Sequence, residues 1–152
     1  SSINVIYSGT MGAAIEAGIE GVPAIGFSLL DFKWDADFRY SEEYVKKISL
    51  QALQNGIPEG VVLNVNIPNL KTEEIKGVKI CRQANGRWKE NFDKRKSPFG
   101  KKYYWLAGDF IINDKGQDTD LYALEKGYVS VVPVQFDMTA HHMIEKLNLW
   151  EL

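Results

Sequence analysis

The stretch Tyr7-Ser8-Gly9-Thr10-Met11-Gly12-Ala13-Ala14-Ile15-Glu16 sets the terms on which the rest of the chain can fold. Two hydroxyl residues flank a glycine directly before a run of small and apolar residues. An N-cap hydroxyl satisfies an orphan backbone N–H at a helix start. The same start, with free N–H groups and the positive end of the helix dipole, attracts anions. Gly9 and Gly12 let the backbone approach a ligand or a neighbouring element closely. The stretch therefore reads either as the mouth of a phosphate site, with Ser8, Gly9 and Thr10 as its donors, or as an ordinary cap before a core helix. Taken alone, these ten residues fit the ordinary cap better, because short Ser/Gly/Thr turns are common. Either way a helix over 10–20 follows. Its small residues Gly12, Ala13, Ala14 and Ala17 call for close packing on a sheet. Glu16 needs a hydrogen-bond partner if it is buried there, and a structural role fits it better than that of a catalytic base.

Pro23-Ala24-Ile25-Gly26-Phe27-Ser28-Leu29-Leu30 is short, apolar and opens on a turn signal, as a buried strand does. A helix leading into such a strand is half of a βαβ unit, so a partly parallel α/β sheet is the natural class. The loop to Tyr40 carries Trp34, Asp35 and Asp37; the two carboxylates could bind a metal but have no third ligand close by. Ser41 reads as the N-cap of a second helix, which Gly56 and Pro58 end. Val61, Leu63, Val65 and Ile67 alternate along the next strand, and Asn64 and Asn66 share its other face.

Residues 77–106 change character. Val78 to Arg82 alternates, Asn85-Gly86 is a strong hairpin turn dipeptide, and Arg87 to Phe92 reads as the return strand. Lys94-Arg95-Lys96 then leads into Tyr103-Tyr104-Trp105-Leu106. The segment reads as an extension arm packing on another subunit. A nucleic-acid surface is the competing reading, disfavoured by the short basic cluster and a net charge of -2. Asp118-Thr119-Asp120 caps a short helix ending at Gly127, a strand follows over 128–134, and 141–152 reads as an amphipathic terminal helix. His141 and His142 are adjacent, so on a helix they make a poor chelate.

At 152 residues the chain holds one domain, 1–152, with a real core. A single cysteine, Cys81, excludes an intrachain disulfide and a thiolate zinc cluster. No apolar run reaches transmembrane length and no secretory leader opens the chain, so a cytoplasmic protein without a membrane partner is expected.

Several blocks together resemble the survival protein E (SurE) family. They are Tyr7-Ser8-Gly9-Thr10, Glu16, Gly21-Val22-Pro23-Ala24-Ile25, Ser28-Leu29, Leu63 to Pro68, Tyr103 to Leu106, Thr119-Asp120 with Ala123-Leu124, Gly127 to Ser130, Pro133, Phe136-Asp137 and Thr139. Each block is weak alone; their order is specific. The resemblance implies a Rossmann-like α/β fold with a β-hairpin arm (77–106) and a C-terminal helix (141–152) that take part in homodimer or homotetramer contacts. It implies a metal-dependent 5'/3'-nucleotidase, a hydrolase of nucleoside monophosphates using Mg²⁺ or Mn²⁺, with no polymeric nucleic acid as partner. In that family the metal is held by an Asp-Asp pair, a Ser, and an Asn in a Gly-x-Asn-x-Gly loop just before Tyr-Ser-Gly-Thr. None of these motifs is in this sequence, which therefore looks like the C-terminal portion of a member, with the metal ligands expected upstream of Ser1. Only Ser8, Gly9 and Thr10 carry over, as phosphate-binding residues; no catalytic or metal residue does. The resemblance also leaves room for base stacking by aromatics of the 34–40 loop or the 103–105 segment. The alternative is a non-catalytic oligomerisation or binding module that keeps the same fold.

Overall fold

The computed structural model describes residues 1–151. A 3-10 turn over Ile3–Tyr7 runs into α1 (Gly9–Ile19), and β1 (Ile25–Leu29), α2 (Glu42–Asn55) and β2 (Val61–Ile67) follow. Next come β3 (Val78–Ile80), the long strands β4 (Gly86–Lys96) and β5 (Lys102–Ile112), α3 (Asp120–Glu125), β6 (Val129–Gln135) and α4 (His141–Leu147).

The main sheet has the order β1-β2-β6-β3. β1 and β2 run parallel, Ile25 opposite Leu63 and Leu29 opposite Ile67. β6 is antiparallel to β2 and parallel to β3. Side chains alternate across a strand, and the core divides accordingly. Val65 and Ile67 of β2 and Val129 and Val131 of β6 pack with Tyr44 and Ile48 of α2. Val62 packs with Val5, Met11 and Ala14 at α1. Val132 packs with Cys81 and with Ala123 of α3. Helices thus cover both faces, which is why the central strands are apolar almost throughout. Two glycines permit the close approach of α1 to the sheet: a methyl added at Gly18 would lie 2.7 Å from Val62 Cγ1, and one at Gly26 would meet Met11. Gly12, by contrast, faces open space.

Three local expectations change. The hairpin turn is not at Asn85-Gly86. Val78–Ile80 is drawn into the main sheet beside β6, so the arm is the β4–β5 ribbon, Gly86 pairing with Ile112 and Lys96 with Lys102. Its turn is Ser97-Pro98-Phe99-Gly100, where Gly100 takes φ 77° and the Ser97 N–H donates to the Lys101 carbonyl over 2.8 Å. Proline at the second turn position and glycine at the fourth suit that geometry. Ser41 does not cap α2; its hydroxyl donates to the Phe38 carbonyl over 2.6 Å inside a preceding 3-10 turn. The last helix ends at Leu147, with none of its residues buried, and position 152 of the expected helix lies outside the described residues.

Candidate functional site

Ser8 sits in extended conformation between the 3-10 turn and α1. The first four N–H groups of a helix have no intrahelical partner. Here the Met11 N–H donates to Ser8 Oγ over 3.3 Å, and the Gly12 N–H to the Ser8 carbonyl over 2.8 Å. That leaves the N–H groups of Gly9 and Thr10 without a protein acceptor among the described residues, at the positive end of an eleven-residue helix. Gly9 and Thr10 are exposed and Ser8 half-buried, so an anion can reach them. Glu16 is exposed and takes no part.

The segment ahead of this helix start is held from below. Ser2 is fully buried at φ 56° and ψ -165°, a backbone region costly for any residue with a Cβ. Its N–H donates to Asp120 Oδ2 over 2.6 Å. Asp120 Oδ1 accepts from the N–H groups of Ala84 at 3.0 Å and Leu121 at 2.8 Å. One buried carboxylate therefore ties the segment ahead of α1 to the root of the ribbon and to α3. Asn64 and Asn66 lie on the same sheet face, buried, where the Asn66 amide donates to Asn64 Oδ1 over 3.1 Å. Asn66 Oδ1 in turn accepts from the Ser1 amino group over 3.4 Å. Outside this layer Arg82 bridges Asp114 and Asp118, its Nε donating to Asp118 over 2.8 Å. The guanidinium holds both carboxyls below the usual range. Burial pushes the Cys81 thiol up, which makes it a poor nucleophile.

The remaining sequence candidates lie elsewhere. Asp37 is bound by Arg39 through Nε and Nη2 at 2.9 and 2.6 Å, which lowers its pKa to about 2. Asp137 meets His141 at 2.8 Å; hydrogen bonds from Thr139, and then from His141, hold its carboxyl well below the usual range. Among the described residues no three His, Cys, Asp or Glu side chains gather as a metal site. The unpartnered N–H groups of Gly9 and Thr10 are donors and suit an anion. Likewise no helix among the described residues is long and apolar enough to cross a membrane.

Ser8, but neither Gly9 nor Thr10, lines a cavity of about 890 Å³ between the 3-10 turn and the root of the ribbon. Its walls include Ile3, Tyr7 and Ser8 on one side and Trp88 and Leu106 on the other. Neither the 34–40 loop nor the 103–105 segment lines it.

A family model described as "Survival protein SurE" matches residues 1–90, the part that holds this helix start, β1, β2 and the root of the ribbon. The chain belongs to the SurE family. Over all 152 residues it is 67% identical to a protein named 5'-nucleotidase SurE from Flavobacterium psychrophilum, and 40% identical to one of the same name from Chlorobium limicola. Among solved structures, the SurE protein from Aquifex aeolicus superimposes with a TM-score of 0.81 at 37% identity, over 97% of this chain and 59% of that one. The chain spans 59% and 58% of the lengths of those two SurE relatives. The local pattern of Ser8 to Thr10 left open a helix cap or a phosphate site, and the structure shows the cap at Ser8. Sequence reasoning missed Asp120, whose partners lie 36 and 118 residues away.

Proposed function

We propose that this chain forms the phosphate-binding part of a SurE-type 5'/3'-nucleotidase, a hydrolase releasing phosphate from nucleoside monophosphates. The observation that carries the reading is the start of α1. Two unpartnered N–H groups, at Gly9 and Thr10, stand beside the hydroxyls of Ser8 and Thr10. Such an arrangement holds the non-bridging oxygens of a phosphate and stabilises charge that builds on them as the ester bond breaks. The Ser8 hydroxyl keeps its cap bond as an acceptor and so remains free to donate to phosphate. Family membership supports the assignment, since relatives across the whole of this chain carry the name 5'-nucleotidase.

On this reading the protein uses Mg²⁺ or Mn²⁺, which when bound supplies charge neutralisation and an activated water. On the same reading its ligands lie upstream of Ser1, since no three His, Cys, Asp or Glu side chains gather among the described residues. The protein is cytoplasmic and works as a homodimer or homotetramer through the exposed ribbon and α4.

The test is phosphate release from a nucleoside monophosphate by the full-length gene product, with Mn²⁺ or Mg²⁺ and a chelator control. Ser8→Ala and Thr10→Ala are each expected to lower kcat/KM, by about 100-fold for the stronger donor, while both variants stay folded; Ser8→Ala also loses its cap bond to Met11, at about 1 kcal/mol. Wild-type turnover in both variants removes the site assignment. A gene product that assembles but never releases phosphate would favour the binding-module reading instead.

A further inference from the structure

We propose that Asp120 is a positioning residue for phosphate release: wholly buried itself, it sets the place of the Ser8 to Thr10 helix start through a series of backbone hydrogen bonds. The inference rests on the nucleotidase reading and deepens it. Three bonds make the connection. Asp120 Oδ2 accepts the Ser2 N–H over 2.6 Å. The Ser2 carbonyl accepts from the Val5 N–H over 3.2 Å, and the Val5 carbonyl from the Ser8 N–H over 3.1 Å. Ser8 then caps α1, its hydroxyl accepting from Met11 and its carbonyl from Gly12. Beyond the carboxylate every link is main chain, so no flexible side chain along the way absorbs a displacement. Val5, midway, is buried against Met11, Ala14 and Val62, which keeps the 3-10 turn from bending aside.

The far end of the series is fixed as well. Asp120 Oδ1 accepts from Ala84 at the root of the ribbon and from Leu121 in α3, so the carboxylate cannot swing. Bonds from N–H groups to a charged acceptor are among the stronger ones, and more so where water is excluded. Ser2 shows what that hold imposes. Its φ of 56° with ψ of -165° is costly for a residue with a Cβ, and such a conformation persists only where the surroundings dictate it. A tie that served stability alone could have left Ser2 relaxed. Here free energy is spent to enter the 3-10 turn from one direction, six residues ahead of the cap.

The test is made on the full-length gene product. Asp120→Asn keeps one carbonyl oxygen for Ala84 and Leu121 and turns an amide N–H₂ toward the Ser2 N–H, so it breaks the first link and spares the other two bonds. Its kcat/KM for AMP is expected to fall about 10- to 100-fold well below the melting temperature, the scale of a misplacement of about 1 Å. Its affinity for inorganic phosphate, read by calorimetric titration, should fall too. Ile48→Val, in the core on the other face of the sheet, lowers stability without touching the series and should keep both values. Ser2→Pro removes the donor instead of the acceptor and should reproduce the loss, which covers the case of an Asp120→Asn that fails to fold. Glycine takes φ 56° freely, so adding Ser2→Gly to Asp120→Asn should recover part of the activity. Wild-type values in folded Asp120→Asn or Ser2→Pro, or an equal loss in Ile48→Val, overturn the proposal and leave Asp120 a purely structural residue. A wild type that binds phosphate but releases none from AMP sinks the nucleotidase reading, and the phosphate titrations still decide the role of Asp120. A wild type that does neither overturns both.

Discussion

Asp120 is wholly buried, and its two oxygens accept backbone N–H groups from Ser2, Ala84 and Leu121. A buried donor left without an acceptor costs about 1–3 kcal/mol. Asp120→Ala strands three of them and is expected to cost more than about 3 kcal/mol in a urea titration. Asp120→Asn keeps one carbonyl oxygen, enough for the Ala84 and Leu121 bonds, and should lose less; equal losses would show that the bonds are not what Asp120 supplies. The difference between Ser8 and Asp120 also shows what a sequence discloses. Ser8 caps through Met11, three residues on, and a local pattern exposes that. Thr119 is legible for the same reason, accepting from the Tyr122 N–H over 3.2 Å. Nothing near Asp120 in the chain announces Ser2 or Ala84, and Arg82 meets Asp114 only through the fold.

Within α1 the same substitution should act with opposite signs at two positions. Alanine is the better helix former by about 0.8–1.0 kcal/mol. At Gly12 a methyl meets nothing within 4 Å, so Gly12→Ala should stabilise by up to that amount. At Gly18 the methyl would lie 2.7 Å from Val62 Cγ1 and 3.0 Å from Phe136. Overpacking of that kind costs about 1–3 kcal/mol, so Gly18→Ala should destabilise. Thermal melts of the two variants check both signs. The elements themselves were largely readable: β2 from its alternation, α2 from Gly56 at φ 75°, α3 from Gly127 at φ 80°. The ribbon was misplaced because Val78–Ile80 carries the pattern of a hairpin strand while its partner, β6, lies some fifty residues on.

At the scale of the molecule the ribbon stands apart. Apart from Gly86, every residue of β4 is exposed, and Phe92, Tyr103, Tyr104, Trp105 and Leu106 leave an apolar surface on two strands that have no further sheet partner among the described residues. A lone two-stranded ribbon is marginal in water, so the proposed contact with a second copy gives that surface a cover. Replacing residues 91–106 by a short Gly-Ser turn is expected to lower the particle mass in light scattering while the far-UV spectrum keeps the helices and main sheet. Unchanged mass would assign assembly to other surfaces. The α/β class and the layering followed from helix–strand order and apolar alternation. The antiparallel course of β6 did not, because register between strands some seventy residues apart is decided by packing alone. The Ser2–Asp120 bond has one more consequence, for the order of events during synthesis. It joins residues 118 apart. At about 5–20 residues per second, Asp120 is made roughly 6–24 s after Ser2. For that interval the segment ahead of α1 lacks its Asp120 anchor.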